Sequence, residues 1–144
     1  MKIDSFLFTN TGGREHNEDA VGVRELIEGG LFAVADGLGG HMYGERASAF
    51  AVKSITEAEL PEPQPEEWLA DQIEKANEGI LALQEETHSN MKSTVATLLI
   101  QEDRASWAHV GDTRLYYFHN GELAFVTEDH SVACLLYTSP SPRD

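Results

Sequence analysis

The order of hydrophobic and polar residues predicts strands in the first third of the chain. Segments 2–9, 20–27 and 31–35 are apolar or alternate between apolar and polar positions, with glycine-rich turns after them. Within the second segment, Ile27 falls on the same alternating face as Val21. The third segment has no polar residue, which is typical of a strand buried on both faces.

Two amphipathic helices are predicted in the middle of the chain, at residues 44–59 and 66–87. In each of them, apolar or small residues recur at spacings of three and four, which places them on one face of the helix. The stripes consist of Ala47, Phe50, Ala51, Ser54, Ile55 and Ala58 in the first helix and of Leu69, Ile73, Ala76, Ile80, Leu83 and Thr87 in the second. Pro61, Pro63 and Pro65 separate the helices, because proline disrupts a helix interior.

The last third of the chain returns to strand patterns. Segments 94–100, 105–110, 115–119 and 122–126 are apolar or alternating. Asn120–Gly121 lies between the last two segments and predicts a type I′ hairpin turn, since both residues tolerate a positive φ. Because two groups of strands flank a pair of helices, the order predicts an α+β fold with antiparallel sheets.

Composition restricts the partners of this chain. Its 144 residues suit one domain, and a hydrophobic fraction of 41% is sufficient for a packed core. Aspartate and glutamate number 25 against 10 lysines and arginines, which gives a formal net charge of −15. This balance disfavours nucleic acid and an anionic membrane surface, because both attract basic side chains. The acidity favours either simple solubility or carboxylates gathered around hard cations.

The sequence indicates neither a disulfide framework nor a membrane anchor. Cys134 is the single cysteine, so no internal disulfide can form, and residues 1–10 lack the long apolar stretch of a secretory signal. No segment approaches the roughly 18 apolar residues that a membrane span requires. We therefore expect a cytoplasmic protein.

Acidic residues at the boundaries of predicted strands are the candidate chemistry of the chain. These residues are Glu18, Asp19, Asp36 and Asp112. A buried strand holds a carboxylate at its end rigidly, and a following glycine such as Gly37 lets the backbone approach, so that its carbonyl becomes a further oxygen ligand. Considered alone, an Asp-Gly pair is more often only a turn.

Other kinds of site fit the sequence less well. The glycine-rich segment 37–40 lacks the Lys and Ser/Thr of a phosphate-binding loop and the spacing of a dinucleotide fingerprint. Cys134 has no basic neighbours in the sequence that would activate a thiol. The six histidines show no paired zinc-ligand spacing. His41 stands apart, because it follows the Asp-Gly pair by only a few residues.

Several short motifs occur together and in a specific order. They are Arg14–Asp19, Val34–His41, Gly44–Ser48, His109–Arg114 with Tyr116, and Asn120–Gly121 with Asp129–Ser131. In this order, from about residue 5 to about residue 132, the chain resembles the metal-dependent serine/threonine protein phosphatases of type 2C. The resemblance implies a β-sandwich of two antiparallel sheets flanked by helices, in αββα layers. It also implies hydrolysis of phosphoserine and phosphothreonine in proteins.

The resemblance further implies a site for two Mn²⁺ or Mg²⁺ ions and a third, more labile ion. Asp36 would bridge the two ions, and the Gly37 carbonyl would bind one of them. Glu18 would hold that ion through water, with Asp19 in support. Asp112 matches the position that helps to bind the third ion.

Two further residues are assigned to the substrate by the same resemblance. Arg14 would grip the phosphate, a task that suits the bidentate geometry of a guanidinium. His41 would protonate the departing serine or threonine oxygen as a general acid, which is useful because an alkoxide is a poor leaving group. The implied partners are phosphorylated proteins, together with a cognate serine/threonine kinase system.

The end of the chain departs from the family pattern. After Ser131 the family continues with further aspartates that complete its metal site. None of these is present here, because Asp144 lies in a segment without family resemblance and does not count as one of them. We therefore expect residues 1–132 to be the N-terminal part of a phosphatase catalytic domain, cut short before that site is complete. Residues 133–144 are expected to be an unrelated tail, either an artefact or disordered. The chain alone should then hydrolyse substrate feebly or not at all.

Two other classes of function stay open at this point. A non-catalytic phosphoprotein-binding module, or pseudophosphatase, would bind phosphorylated peptides without hydrolysing them. A metal-stabilised structural module would show a large melting shift with Mn²⁺ and no affinity for phosphate. The presence of Arg14, Asp36 and His41 together favours the enzyme, because a binder has no chemical need for all three.

Overall fold

The computed structural model describes residues 3–12, 16–40, 42–60, 65–128 and 133–138. The elements within these ranges are, in chain order, β1 (Asp19–Leu26), β2 (Gly29–Leu38), α1 (Tyr43–Thr56), α2 (Pro65–Thr87), β3 (Lys92–Ser93), β4 (Val95–Gln101), β5 (Arg104–Val110), β6 (Tyr116–His119), β7 (Glu122–Val126) and β8 (Ala133–Thr138).

The strands of the described ranges form two antiparallel sheets. The larger sheet has six strands in the order β1-β2-β4-β5-β8, with β3 paired to the end of β2, and β6 and β7 form a separate two-stranded sheet. Two groups of strands thus flank the helical pair along the chain. The predicted α+β fold with antiparallel sheets and helices outside them is confirmed.

A two-residue turn joins β1 to β2, and it lies earlier than the alternating pattern predicts. The last paired residues are Leu26 and Gly29, so Ile27 and Glu28 form the turn. Glu28 has a φ of 57° and Ile27 is 96% exposed. The prediction that Ile27 continues the alternating strand face of Val21 is therefore wrong, because the hairpin reverses the chain at Ile27.

The N-terminal apolar run differs from its predicted strand. Residues 3–10 form no strand, and Phe6 and Phe8 are 86% and 70% exposed. A strand is stable only where a neighbour satisfies its backbone N–H and C=O groups. No strand among the described residues pairs with this segment, so its apolar side chains alone do not fix it as a strand.

Helix α1 covers one face of the large sheet. Its buried stripe includes Ala47, Ala51 and Ile55, which pack with Leu31 of β2 in one hydrophobic cluster. Gly22 of β1 permits this close approach, because a Cβ there would lie 2.7 Å from the Val52 side chain. Burying each larger side chain contributes about 1.5–3 kcal/mol. The predicted stripe of the first helix is therefore confirmed as a core face from Ala47 to Ile55, whereas Ala58 lies beyond the end of α1.

The end of α1 is fixed by a cation from β1. The helix ends at Thr56, before the predicted end at residue 59. The Arg24 guanidinium donates hydrogen bonds to the carbonyl oxygens of Thr56 and Ala58, at 3.3 and 2.7 Å. These carbonyls have no partner within a helix, so the arginine satisfies them and favours termination there.

Helix α2 packs against the same cluster. Leu69, Ala76 and Ile80 are buried in it. At Gly79 the two helices meet closely, because a Cβ there would overlap the ring of Phe50. Neither helix of the described ranges combines the length and the apolar character needed to cross a bilayer.

The β6–β7 hairpin lies over the opposite face of the large sheet. The rings of Trp107 in β5 and Phe125 in β7 are 5.4 Å apart and tilted by 45°, and Trp107 is 2% exposed. The aromatic pair therefore joins the two sheets. The predicted turn of this hairpin is confirmed, with φ angles of 54° at Asn120 and 82° at Gly121.

Replacing Gly121 by alanine is expected to destabilise the chain by about 1–2 kcal/mol, because an L-residue with a Cβ is strained at positive φ. No atom lies within 4 Å of the added Cβ, so the loss would come from the backbone alone. Urea unfolding followed by tryptophan fluorescence measures it. Asn120→Gly in the same turn is the matched control and should change stability by less than about 0.5 kcal/mol. Equal stabilities of the two variants would contradict the assignment of the turn.

Strand β8, which covers residues 133–138, lies at the edge of the large sheet. Strand β8 pairs antiparallel with β5, from Arg104 opposite Thr138 to His109 opposite Ala133. The boundary at residue 132, and with it the origin of the tail, stays a prediction.

Candidate functional site

Four neighbouring strands bring a row of residues to one edge of the large sheet. Asp19 at the start of β1 lies opposite Asp36 near the end of β2. The register of β2 with β3 and β4 places Thr94 opposite Asp36 on the other side. The register of β4 with β5 places Gly111 next to Thr94. Since neighbouring strands lie about 4.8 Å apart, the row extends over about 15 Å.

Asp19 and Asp36 form the centre of this row. They are directly opposed on neighbouring antiparallel strands, so their side chains point to the same face and their Cβ atoms are about 4.5–5.5 Å apart. Both side chains are exposed, on the face opposite to α1. Two carboxylates in this arrangement repel each other, and a cation between them removes the repulsion.

The position of Asp36 differs from the sequence prediction in one respect. Strand β2 continues through Asp36 and Gly37 to Leu38, beyond its predicted end at Ala35. Pairing on both sides explains the extra length, because β1 reaches Asp36 and β3 pairs with Gly37 and Leu38. Asp36 is therefore held within a strand and not on a flexible turn.

The backbone of Glu18 is fixed by two hydrogen bonds. Its carbonyl oxygen accepts from the Gly37 N–H at 2.9 Å and from the Ser48 hydroxyl at 2.6 Å. Ser48 is fully buried in the small-residue stripe of α1. The sequence motif Gly44–Ser48 included this serine, but the sequence did not reveal that its hydroxyl donates to Glu18. The hydrogen bonds fix Glu18 to both β2 and α1.

The carboxylate of Glu18 lies over the first turn of α1, against Gly44. A Cβ at Gly44 would be 2.7 Å from Glu18 Oε2 and 2.8 Å from the backbone nitrogen of Leu38. A Cβ at Gly37 would overlap the carbonyl oxygen of Gly44. Gly44 therefore leaves the space that the carboxylate occupies, and Gly37 lets the backbone of Gly44 come close to β2. The positive end of the helix dipole favours an anion there.

Asp112 lies at the same edge of the sheet but farther from the pair. It follows β5, as predicted, and its side chain is exposed. The preceding Gly111 has a φ of 90° and lies two strands from Asp36, a backbone separation of about 10 Å.

Two of the predicted site residues, Arg14 and His41, lie outside the described residues, as does the motif 129–131. Their roles stay predictions. Over the rest of the chain that the structure describes, no group of three or more His, Cys, Asp and Glu side chains converges closely enough to hold a metal ion. Within the described residues, the structure thus brings together Asp19 and Asp36, with the Glu18 carboxylate on the α1 side of the same edge, but not a complete cage.

The donors at this edge fit a hard divalent cation in kind. Carboxylates and backbone carbonyls are the oxygen ligands that Mg²⁺ and Ca²⁺ take, and Mn²⁺ accepts the same set. The opposed Asp19–Asp36 pair is the observation that favours such an ion. The Glu18 carboxylate beside Gly44 is a further oxygen donor at this end of the sheet, on its α1 side.

Comparison with known proteins agrees with this arrangement. The family model described as Protein phosphatase 2C matches residues 11–137. The serine/threonine phosphatase stp of Listeria welshimeri is 36% identical over 128 residues, which cover 83% of this chain and 51% of the relative. The chain thus spans about half the length of the curated relatives it matches.

Solved structures show the same fold. The serine/threonine phosphatase Stp1 from Staphylococcus aureus superimposes with a TM-score of 0.74 and 31% identity, over 91% of this chain and 57% of that one. The catalytic domain of the phosphatase PstP, in complex with two manganese ions, gives a TM-score of 0.65 and 32% identity, over 76% of this chain and 48% of that one. With a family match over most of its residues and the predicted order of motifs, this chain belongs to the protein phosphatase 2C family.

Proposed function

We propose that the protein containing this chain hydrolyses phosphoserine and phosphothreonine in other proteins and depends on divalent metal ions to do so. The opposed carboxylates of Asp19 and Asp36 carry the proposal, because the sheet holds these oxygen donors side by side, a pair that suits a hard divalent cation. Family membership supports the reaction class, and the two manganese ions in the related PstP structure support the metal.

The residues that would hold Mn²⁺ or Mg²⁺ follow from the described edge. Asp36, Asp19 and Glu18 would hold the ions, with the Gly37 carbonyl as a further donor. Asp112 follows Gly111, which lies two strands from Asp36, and would suit a separate third ion. When bound, such ions supply Lewis acidity, which activates water near neutral pH and neutralises charge on the phosphoryl oxygens.

The chain's own residues would bind the substrate and transfer the proton. Arg14 would bind the phosphate through a bidentate guanidinium contact, which holds the phosphorus in line for attack. His41 would donate its proton to the departing oxygen of serine or threonine. Phosphorylated proteins as substrates, a cognate serine/threonine kinase and a cytoplasmic location complete the proposal.

Replacing Asp36 by asparagine is expected to weaken Mn²⁺ binding by about tenfold or more, because loss even of an outer-shell partner costs about 10–100-fold. Electron paramagnetic resonance of free Mn²⁺ during a titration measures the affinity. Asp103→Asn is the matched control, because this exposed aspartate lies in the β4–β5 turn at the opposite end of the sheet. Equal affinities of the two variants would contradict the metal site.

The activity itself is tested with a phosphoserine peptide, Mn²⁺ and detection of released phosphate. The described edge holds only part of a metal cage, so the expected rate for this chain alone is low. Metal-dependent release that is lost in Asp36→Asn supports the proposed reaction. Phosphate release that is equal with Mn²⁺ and with EDTA contradicts it, and tight peptide binding without release would favour the phosphoprotein-binding module.

A further inference from the structure

Thr94 connects two parts of the sheet edge that carries Asp19, Asp36 and Asp112, which is called the acidic edge below. One part is the Asp19–Asp36 pair, and the other is the loop with Asp112. Thr94 lies between β3 and β4, where its backbone N–H donates to the Asp36 carbonyl at 2.9 Å. Its side-chain Oγ1 accepts from the Asp36 N–H at 3.2 Å. One threonine therefore satisfies both backbone groups of Asp36 on this side of β2.

On its other side, Thr94 contacts the loop that carries Asp112. Its Oγ1 is hydrogen-bonded to Oγ1 of Thr113, the residue after Asp112. Its methyl group packs against Gly111, where a Cβ would lie 2.6 Å from Thr94 Cγ2. The branched side chain thus divides its contacts, with the hydroxyl on Asp36 and Thr113 and the methyl on Gly111.

These contacts come from different elements and meet at one atom. Asp36 belongs to β2, whereas the loop 111–113 follows β5, and β4 lies between them. A hydroxyl has one proton to donate and two lone pairs, so Oγ1 can accept from Asp36 and still exchange a hydrogen bond with Thr113. Valine has the same shape but could make neither bond.

We propose that Thr94 is a positioning residue for the metal site, which fixes the distance between the Asp36 backbone and the Asp112 loop through its hydroxyl. The proposal rests on the proposed function, since it concerns how the same edge is arranged for cations. Thr94 contacts no phosphate in this proposal. It acts through the orientation of Asp36, as hydrogen-bonding partners of metal ligands do elsewhere.

The experiment compares Thr94→Val, Thr94→Ser and Thr97→Val in the 144-residue chain. Thr97 is the matched control, because it lies in β4, three residues after Thr94, and its buried hydroxyl donates to the Phe32 carbonyl at 2.8 Å, away from the acidic edge. Mn²⁺ affinity is measured by electron paramagnetic resonance, and urea unfolding without metal is measured in parallel.

Thr94→Val is expected to weaken Mn²⁺ binding by about tenfold, the lower end of the range for such partners. Thr94→Ser should retain the affinity within about threefold, because it keeps the hydroxyl. Thr97→Val should lower the stability and leave the affinity unchanged. If Thr94→Val does not fold, Thr113→Val removes the second hydrogen bond from a half-buried loop position and should lower the affinity in the same direction.

If Thr94→Val binds Mn²⁺ with wild-type affinity, the positioning role is overturned. An equal loss of affinity in Thr97→Val also overturns it, because the loss would then not be specific to the Thr94 hydroxyl. Failure of serine to restore binding also overturns it. If the wild-type chain binds no Mn²⁺ at all, the proposed metal dependence fails and the role of Thr94 fails with it. The wild-type titration therefore distinguishes the two failures.

Discussion

Replacing Gly44 by alanine is expected to lower Mn²⁺ affinity by about tenfold or more and to destabilise the chain as well. The new Cβ would lie 2.7 Å from Glu18 Oε2, so the carboxylate must leave its present position above α1. It would also lie 2.8 Å from the backbone nitrogen of Leu38, which cannot move without disturbing β2. The proposed metal donor Glu18 and the strand that carries Asp36 are therefore affected together.

The sign of the stability change follows from two opposing magnitudes. Alanine is favoured over glycine in a helix by about 1 kcal/mol, but that gain is smaller in the first turn than in the interior. Forcing an extra carbon into a close-packed site costs about 1–3 kcal/mol. Because one of the obstructing atoms belongs to the backbone, we expect the cost to exceed the gain.

Gly40, in the segment that leads into α1, provides the control. Gly40 lies just before α1 and has no atom within 4 Å of an added Cβ, and its φ lies outside the left-handed region. Gly40→Ala should therefore leave both Mn²⁺ affinity and urea stability close to those of the wild type. The interpretation of Gly44 would be wrong if both variants bound Mn²⁺ as the wild-type chain does.

The sequence predicted the helices and most strands because their patterns reflect burial on one face. The stripe of α2 places Leu69, Ala76 and Ile80 in the core, and the observed range Pro65–Thr87 differs from the predicted one by a single residue. The prediction of a strand at residues 2–9 was wrong because pairing, and not side-chain burial alone, decides whether a strand forms. Apolar side chains favour a strand only where a neighbouring strand is available, and this requirement is not local to residues 2–9.

The acidic edge was only partly predictable. The positions of Asp36 and Asp112 next to strand ends are visible in the sequence, because apolar runs stop there. That Asp19 lies opposite Asp36 depends on the register of the β1–β2 hairpin, which its turn at Ile27 and Glu28 sets.

The supporting hydroxyls could not be identified from the sequence. Ser48 and Thr94 reach Glu18 and Asp36 across 30 and 58 residues of chain. A serine in a small-residue stripe and a threonine at a strand entry are common without any such role. Only the tertiary contacts distinguish them from other hydroxyl residues such as Thr97.

Replacing Leu31 by alanine is expected to cost about 2–5 kcal/mol of folding free energy, the range for a large-to-small change in a packed core. Leu31 is fully buried in β2, where it lies between its partners Arg24 of β1 and Leu99 of β4. The loss would be a large fraction of the 5–15 kcal/mol typical of a domain. Urea unfolding of Leu31→Ala and of the exposed-site control Ile27→Ala measures it.

The two replacements in and around β2 should separate stability from metal binding. Leu31 lies on the helix-facing side of the strand, whereas Asp36 points to the opposite side. Leu31→Ala should therefore lower the unfolding free energy while the remaining folded chain binds Mn²⁺ with wild-type affinity. Gly44→Ala should lower the Mn²⁺ affinity even without urea, where the chain is fully folded. An equal loss of affinity in both variants would contradict a local effect of Gly44. It would mean that Mn²⁺ binding depends only on the overall stability of the sheet.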